Sequence, residues 1–309
     1  MKPRRRRGRR ETLGKVSAFS VSPRLNEIRA IDKTVKLEFT KMHGLGNDMI
    51  VIDSLQTGFI ASPDQARFLC DRRWGIGADQ ILILLPSKIA DFKMRIFNSD
   101  GSEVEMCGNG IRCLARFIRE RGLSAKKALA IETLAGIIRP EIAGGMVRVD
   151  MGEPIFDAAK VPVRGQGKIQ NTVLMVDGDP FEISAVSMGN PHCVIVSDNV
   201  DDVPLSEIGP KIEHHPWFPQ RANVEFVQVI DRHRIKVRVW ERGAGLTLAC
   251  GTGACAAAVA LMDQKITERR ITVALPGGDL DISWDPETNR VWMTGPAVEV
   301  FRGEITIPG

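Results

Sequence analysis

Through most of this chain apolar residues recur at every second position, the signature of half-buried strands, and at two points the period lengthens to three and four. The two-residue period, or a short continuous apolar run, predicts strands over 35–41, 49–53, 81–85, 92–97, 129–132, 136–141 and 146–151. After a gap it resumes over 181–187, 193–196, 223–229, 235–239, 271–275, 280–284 and 291–294, with residues 43–48 read as a loop between the first two strands. The helical period is clearest in Ile111, Leu114, Ala115 and Ile118, closed by Gly122, and in the small apolar run 254–262, which should be buried on every side. Ser62 followed by Pro63 predicts a capped helix reaching Cys70, and a short helix is expected near 205–214. Strand-rich halves that each hold one long apolar helix imply an α+β fold, two pseudo-symmetric lobes in which an antiparallel sheet curls around a central helix.

Both long helices open on the same words. Met106-Cys107-Gly108-Asn109-Gly110 precedes the first and Ala249-Cys250-Gly251-Thr252-Gly253 the second, with Cys250 lying 143 residues after Cys107. The same interval separates Asn47 from Asn190, Gln80 from Asn223 and Asn98 from Glu241. This is an internal duplication whose register is kept by polar residues, several of them beside glycines. A thiol at a helix N-terminus meets unpaired N–H groups and the positive end of the dipole, which favour thiolate and can also hold an anion. Two such thiols, one per half, are candidates for an opposed acid/base pair that inverts a carbon stereocentre. Gly108, Asn109, Gly251 and Thr252 would then stabilise the charge that grows on a carboxylate when an α-proton leaves, without a metal or pyridoxal sink.

The ordered motifs from Phe39 to Gly303 resemble those of the diaminopimelate epimerases. They include Phe39 to Asp48, Gly75-Ile76-Gly77-Ala78-Asp79-Gln80, Asn98-Ser99-Asp100-Gly101-Ser102 leading to Cys107, Gly189-Asn190-Pro191-His192, Glu241-Arg242-Gly243 and Ala249 to Ala254. The related proline racemases share both cysteine turns but typically carry histidine where this chain has Asn109. The resemblance implies cofactor-independent conversion of LL- to meso-diaminopimelate, in lysine and peptidoglycan precursor biosynthesis, with Cys107 and Cys250 as the two bases. It also implies substrate contacts at Asn47, Gln80, Asn98, Asn190 and Asn223, Arg242 on the distal carboxylate, and Glu241 on the distal ammonium or in catalysis. His192 is expected as a supporting catalytic residue. Another amino-acid racemase of the same fold, a non-catalytic amino-acid-binding protein and an RNA-associated protein are the competing readings. The same resemblance places lobe boundaries at 35–151 and 152–296, returns residues 297–309 to the first lobe, and suggests a homodimer through the region around Phe301.

Bulk properties narrow these readings. The net charge of +4 is misleading, because residues 1–15 hold eight basic residues against one acidic and leave the remainder mildly acidic. Nucleic acid is therefore not an expected partner, and residues 1–34 read as a basic, solvated extension, with an organellar presequence as the alternative. No apolar run nears the ~18 residues of a membrane span. Six cysteines without a Cys-x-x-Cys pair suggest neither a zinc site nor a disulfide framework, and fit a reducing, cytoplasmic setting. The chain has no tyrosine, which excludes a phenolic acid.

Overall fold

The structure is a computed structural model and describes residues 34–308, so the expected basic extension lies, but for Thr34, outside the described residues. An eight-stranded sheet runs Val298–Pro308, Thr34–Gly44, Asn47–Asp53, Gln80–Leu85, Phe92–Asn98, Ile131–Thr133, Gly136–Ile138, with Glu103–Val104 added on Phe92–Asn98. The eleven-stranded sheet runs Thr172–Val176, Asp179–Ser187, Pro191–Val196, Asn223–Asp231, Arg234–Glu241, Arg270–Leu275, Gly278–Trp284, Val291–Pro296, Met146–Asp150, Glu141–Ala143, and Gly245–Thr247 pairs back onto Arg234–Glu241. Four helices complete the described fold: α1 (Pro63–Cys70), α2 (Gly108–Glu120), α3 (Leu205–Glu213) and α4 (Gly251–Asp263).

Each lobe repeats one plan. Asn47–Asp53 and Gln80–Leu85 are parallel, as are Pro191–Val196 and Asn223–Asp231, so the sheets are mixed where antiparallel ones were expected. The reason is the connection: α1 and α3 are the crossovers that parallel neighbours require. The duplication survives in the register, since Met49 pairs with Gln80 and His192 with Asn223.

Both faces of the central strands are buried. Along Gln80–Leu85, Ile81, Ile83 and Leu85 join an outer core under α1, while Leu82 and Leu84 face the inner core around α2 and α4. That is why this strand reads as an unbroken apolar run instead of an alternation. The inner core is one cluster drawing on both lobes, from Met42 and Val51 to Val237, Ala257 and Met293. Helix α4 is buried from Gly253 to Met262, as its composition implies.

Two details depart from the sequence reading. The expected loop 43–48 is a two-residue hairpin turn: Gly44 pairs with Asn47, and Leu45 and Gly46 take φ of 57° and 84°. Sheet membership changes before residue 151, because Glu141–Ala143 and Met146–Asp150 hydrogen-bond into the larger sheet through Val291–Pro296. Pro140, which offers no N–H, separates Gly136–Ile138 from that excursion. At the other end, Val298–Pro308 returns to pair with Thr34–Gly44.

The lobes also meet at three loops. A Cβ placed on Gly277 would fall well inside contact distance of the Leu45 carbonyl and 3.1 Å from that of Leu248. The Gly277→Ala variant should therefore lose about 1–3 kcal/mol or more of stability, read as a lowered denaturation midpoint by circular dichroism.

Candidate active site

Cys107 and Cys250 are the N-caps of α2 and α4, each in extended backbone conformation. Each sulfur accepts a hydrogen bond from the third helical N–H, Gly110 N at 3.3 Å and Gly253 N at 3.4 Å, and so fills the place of a serine cap. This leaves the N–H groups at the very start of each helix, Gly108, Asn109, Gly251 and Thr252, without a helical carbonyl partner.

The two helices begin back to back. A Cβ on Gly251 would lie 3.8 Å from Gly108 Cα and 3.1 Å from Met293 Sδ, and one on Gly108 would lie 4.0 Å from Gly251 Cα. Glycine at both first positions is thus a steric condition for the approach. The next glycines serve the thiols: a Cβ on Gly110 would press on the Cys107 side chain and Leu82, and one on Gly253 would lie 2.7 Å from Glu225 Oε1. Asn109 ties the turns together, donating from Nδ2 to Ala249 O and to Asn47 Oδ1, both at 3.2 Å.

The duplicated polar residues occupy equivalent strand ends. In the first lobe Asn47 and Gln80 begin adjacent strands and Asn98 ends the next, with Gln80 Nε2 donating to Asn98 Oδ1 at 2.9 Å. In the second lobe Asn190 precedes a strand, Asn223 begins one and Glu241 ends one. Asn47 Nδ2 donates to Asp79, and Cys107 Sγ stands 3.9 Å from Asn47 Oδ1. Asn190 reaches Thr252, whose hydroxyl is 3.5 Å from Cys250 Sγ. Glu241 turns inward, accepting from Thr247 Oγ1 at 2.6 Å, while burial pushes its carboxyl upward. Arg242, freed by the end of the strand, points the other way: its backbone N–H donates to Asn223 Oδ1 and its guanidinium to Gln220 O at the exposed rim. That turn is pinned by Glu213, nearly fully buried, which accepts from Trp240 Nε1 and Gly243 N.

His192 touches neither thiol in this conformation; its ring lies between Asn190 Oδ1 at 2.9 Å and Glu225 Oε1 at 2.7 Å, with both side chains of the His192–Glu225 pair fully buried. Glu225 escapes sequence reading because it sits on a strand between Val224 and Phe226, and only the parallel register brings it beneath Gly253. Arg112 escapes it too. On the expected apolar helix it is completely buried, with Nη2 on Asn109 Oδ1 (2.8 Å), Nη1 on Gly108 O (3.1 Å) and Nε on Pro296 O (3.2 Å). Cys70, Cys113, Cys193 and Cys255 are buried core residues as expected. Among the described residues no group of three or more His, Cys, Asp or Glu side chains could hold a metal ion.

Fold and site together define a class: two-lobed α+β proteins in which two thiol-capped helix N-termini meet at the lobe junction. The model of the family "Diaminopimelate epimerase" matches residues 39–156 and 184–300. A diaminopimelate epimerase of Heliobacterium modesticaldum is 52% identical over 88% of this chain and all of its own length, and one of Synechocystis is 53% identical over 88% of this chain and 99% of its own. This chain belongs to the diaminopimelate epimerase family. Among solved structures, a Bacillus anthracis phenazine biosynthesis protein of the PhzF family matches with TM-score 0.67 at 20% identity, covering 88% of this chain and 100% of that one. A hydroxyproline epimerase from Agrobacterium vitis matches with TM-score 0.65 at 13% identity, covering 89% and 93%. At those identities they establish the shared fold.

The electrostatics revise one expectation. Helix N-termini were expected to favour thiolates, yet burial outweighs them and pushes both thiols up, Cys107 above its ordinary range and Cys250 well above it, where Glu241 and Glu225 add to the effect. A thiolate base is therefore scarce at neutral pH in the free protein. Turnover that needs one thiolate should give kcat/KM that rises with pH through the neutral and mildly alkaline range, measured as a pH–rate profile.

Proposed function

We propose that this chain epimerises LL-2,6-diaminopimelate to the meso isomer by a two-base mechanism at Cys107 and Cys250. The observation that carries the reading is the apposition of the two cysteine-capped helix N-termini through Gly108 and Gly251. The substrate's α-carboxylate takes the free N–H groups of Gly108, Asn109, Gly251 and Thr252. One thiolate removes the α-proton from one face, the charge that develops on the carboxylate is held by both helix ends, and the other thiol returns a proton from the opposite face. In the reverse direction the thiols exchange roles. The bound α-ammonium brings positive charge to the thiols and opposes the desolvation that keeps them protonated.

Gln80 and Asn98 from one lobe, with Asn223, Glu241 and Arg242 from the other, form the distal contacts. Their mixture of amides, carboxylate and guanidinium suits a substrate with a second amino-acid head group, which proline lacks. Gln80 Oε1 is buried without a hydrogen-bond partner among the described residues, and accepts from that head group in this reading. His192 acts behind Asn190, whose amide reaches Thr252; closure of the lobes would exclude water from the site.

We further infer a reaction free of pyridoxal phosphate and metal, and a reducing cytoplasmic location; all six cysteines are free. Diaminopimelate is the small-molecule partner, and a second copy of the chain is the protein partner. Among the described residues Val298–Pro308 is an edge strand of the smaller sheet and exposes Val298, Val300 and Phe301, the last packed edge-on against Phe39 at 5.9 Å between centroids.

Incubation with LL-diaminopimelate in D₂O, without added cofactor, should yield the meso isomer carrying deuterium at the inverted α-carbon. Cys107→Ser and Cys250→Ser should each lower kcat by about 10²–10⁴; meso product formed at wild-type rate by either variant would refute the thiol pair. The Phe301→Glu variant should sediment as a monomer where the wild type sediments as a dimer, checked by analytical ultracentrifugation.

A further inference from the structure

The duplication is faithful in backbone and broken in charge. Position 112 of α2 corresponds to 255 of α4, yet the first is Arg112 and the second Cys255. Conversely, Leu82 and Asn98 of the first lobe correspond to Glu225 and Glu241 of the second. The first thiol turn thus has a buried cation beneath it, and the second has two carboxylates around it.

Arg112 is unusual in its own right. It is completely buried and makes no ion pair with a carboxylate among the described residues; its guanidinium threads between the backbones of Gly44 and Gly295 and spends its donors on two carbonyls and an amide oxygen. Removing a cation from water without a counter-ion is costly, and an anion that forms nearby offsets part of that cost. Arginine can only donate, which orients the Asn109 amide: Oδ1 faces Arg112, and Nδ2 must face Asn47 and Ala249. Asn47 in turn donates to Asp79, an acceptor-only terminus. The whole chain of amides beside Cys107 is therefore polarised from one charged end to the other.

We propose that Arg112 is a positioning residue that makes Cys107 the first of the two thiols to ionise, loading the site with Cys107 as base and Cys250 as acid. This deepens the two-base reading and rests on it. The groups that face Cys107 are the Asn109 and Gly110 N–H groups, Arg112 and, opposing them, Glu241; those that face Cys250 are Glu241, Glu225, Thr252 and the Gly253 N–H. Arg112 itself faces Cys107, Cys113 and Cys255. Burial raises both thiols; Arg112 opposes it at Cys107, whereas Glu241 and Glu225 reinforce it at Cys250.

The test is the pH dependence of iodoacetamide modification at each thiol, resolved by peptide mass spectrometry on the whole chain, with kcat/KM profiles alongside. In the wild type the Cys107 midpoint should lie below that of Cys250. In Arg112→Met the Cys107 midpoint should rise by about one unit or more with the Cys250 midpoint nearly still, and the acidic limb of kcat/KM should move with it, a loss of about tenfold or more at neutral pH. Arg112→Lys, which keeps the charge, should recover most of the shift. Cys250 ionising first in the wild type would overturn the proposal, as would an unchanged Cys107 midpoint in a folded Arg112→Met protein. If Arg112→Met does not fold, the wild-type order and the lysine variant decide. Because alkylation needs no substrate, inactivity of the wild type toward diaminopimelate would refute the assigned reaction while leaving this result readable.

Discussion

Two helices that point their positive ends at each other across van der Waals distance are the constraint on which the rest of this molecule depends. Each N-terminus carries roughly half an elementary charge, and like ends repel. The approach is possible because Gly108 and Gly251 have no Cβ, and it is maintained because α2 and α4 share one apolar core with both sheets. Asn109 fastens the junction by reaching the carbonyl that precedes Cys250. What remains unsatisfied at that point is positive potential and free N–H groups, so the structure is complementary to a carboxylate, and most of all to one gaining charge.

The same packing that builds the site also restrains its thiols. A cysteine at a helix N-terminus in water would ionise readily, but here both sulfurs sit against the inner core, and desolvation prevails over the dipole. Reactivity is therefore conditional on what enters the site. Around that shared restraint the lobes diverge: amides and a buried guanidinium lie beside one thiol, two carboxylates beside the other. A duplicated backbone with unlike charges suits a reaction whose two half-steps are mirror images in geometry and opposites in proton transfer.

Much of this was legible from residue order. The Ser62 cap of α1, the start of both long helices after cysteine, and the all-round burial of α4 follow from local rules of capping and periodicity. The 143-residue interval found the equivalent strand ends at Asn47 and Asn190, Gln80 and Asn223, Asn98 and Glu241. Arg112 and Glu225 were not legible, because each lies within an apolar pattern and owes its importance to a neighbour remote in sequence. The direction of the Arg242 side chain was not legible for a related reason: adjacency to Glu241 says nothing about which way a side chain leaves a turn, and Gln220 and Asn223 decide it.

By itself the sequence determined the elements, the duplication and the pair of capping thiols, since these depend on interactions within a few residues or on repetition of the chain itself. Tertiary structure alone decided that the strands neighbouring each crossover are parallel, that Met146–Asp150 joins the larger sheet, and that the helix ends touch. It also decided the protonation balance, because desolvation and charge act through space, and no local pattern records which buried groups will face one another.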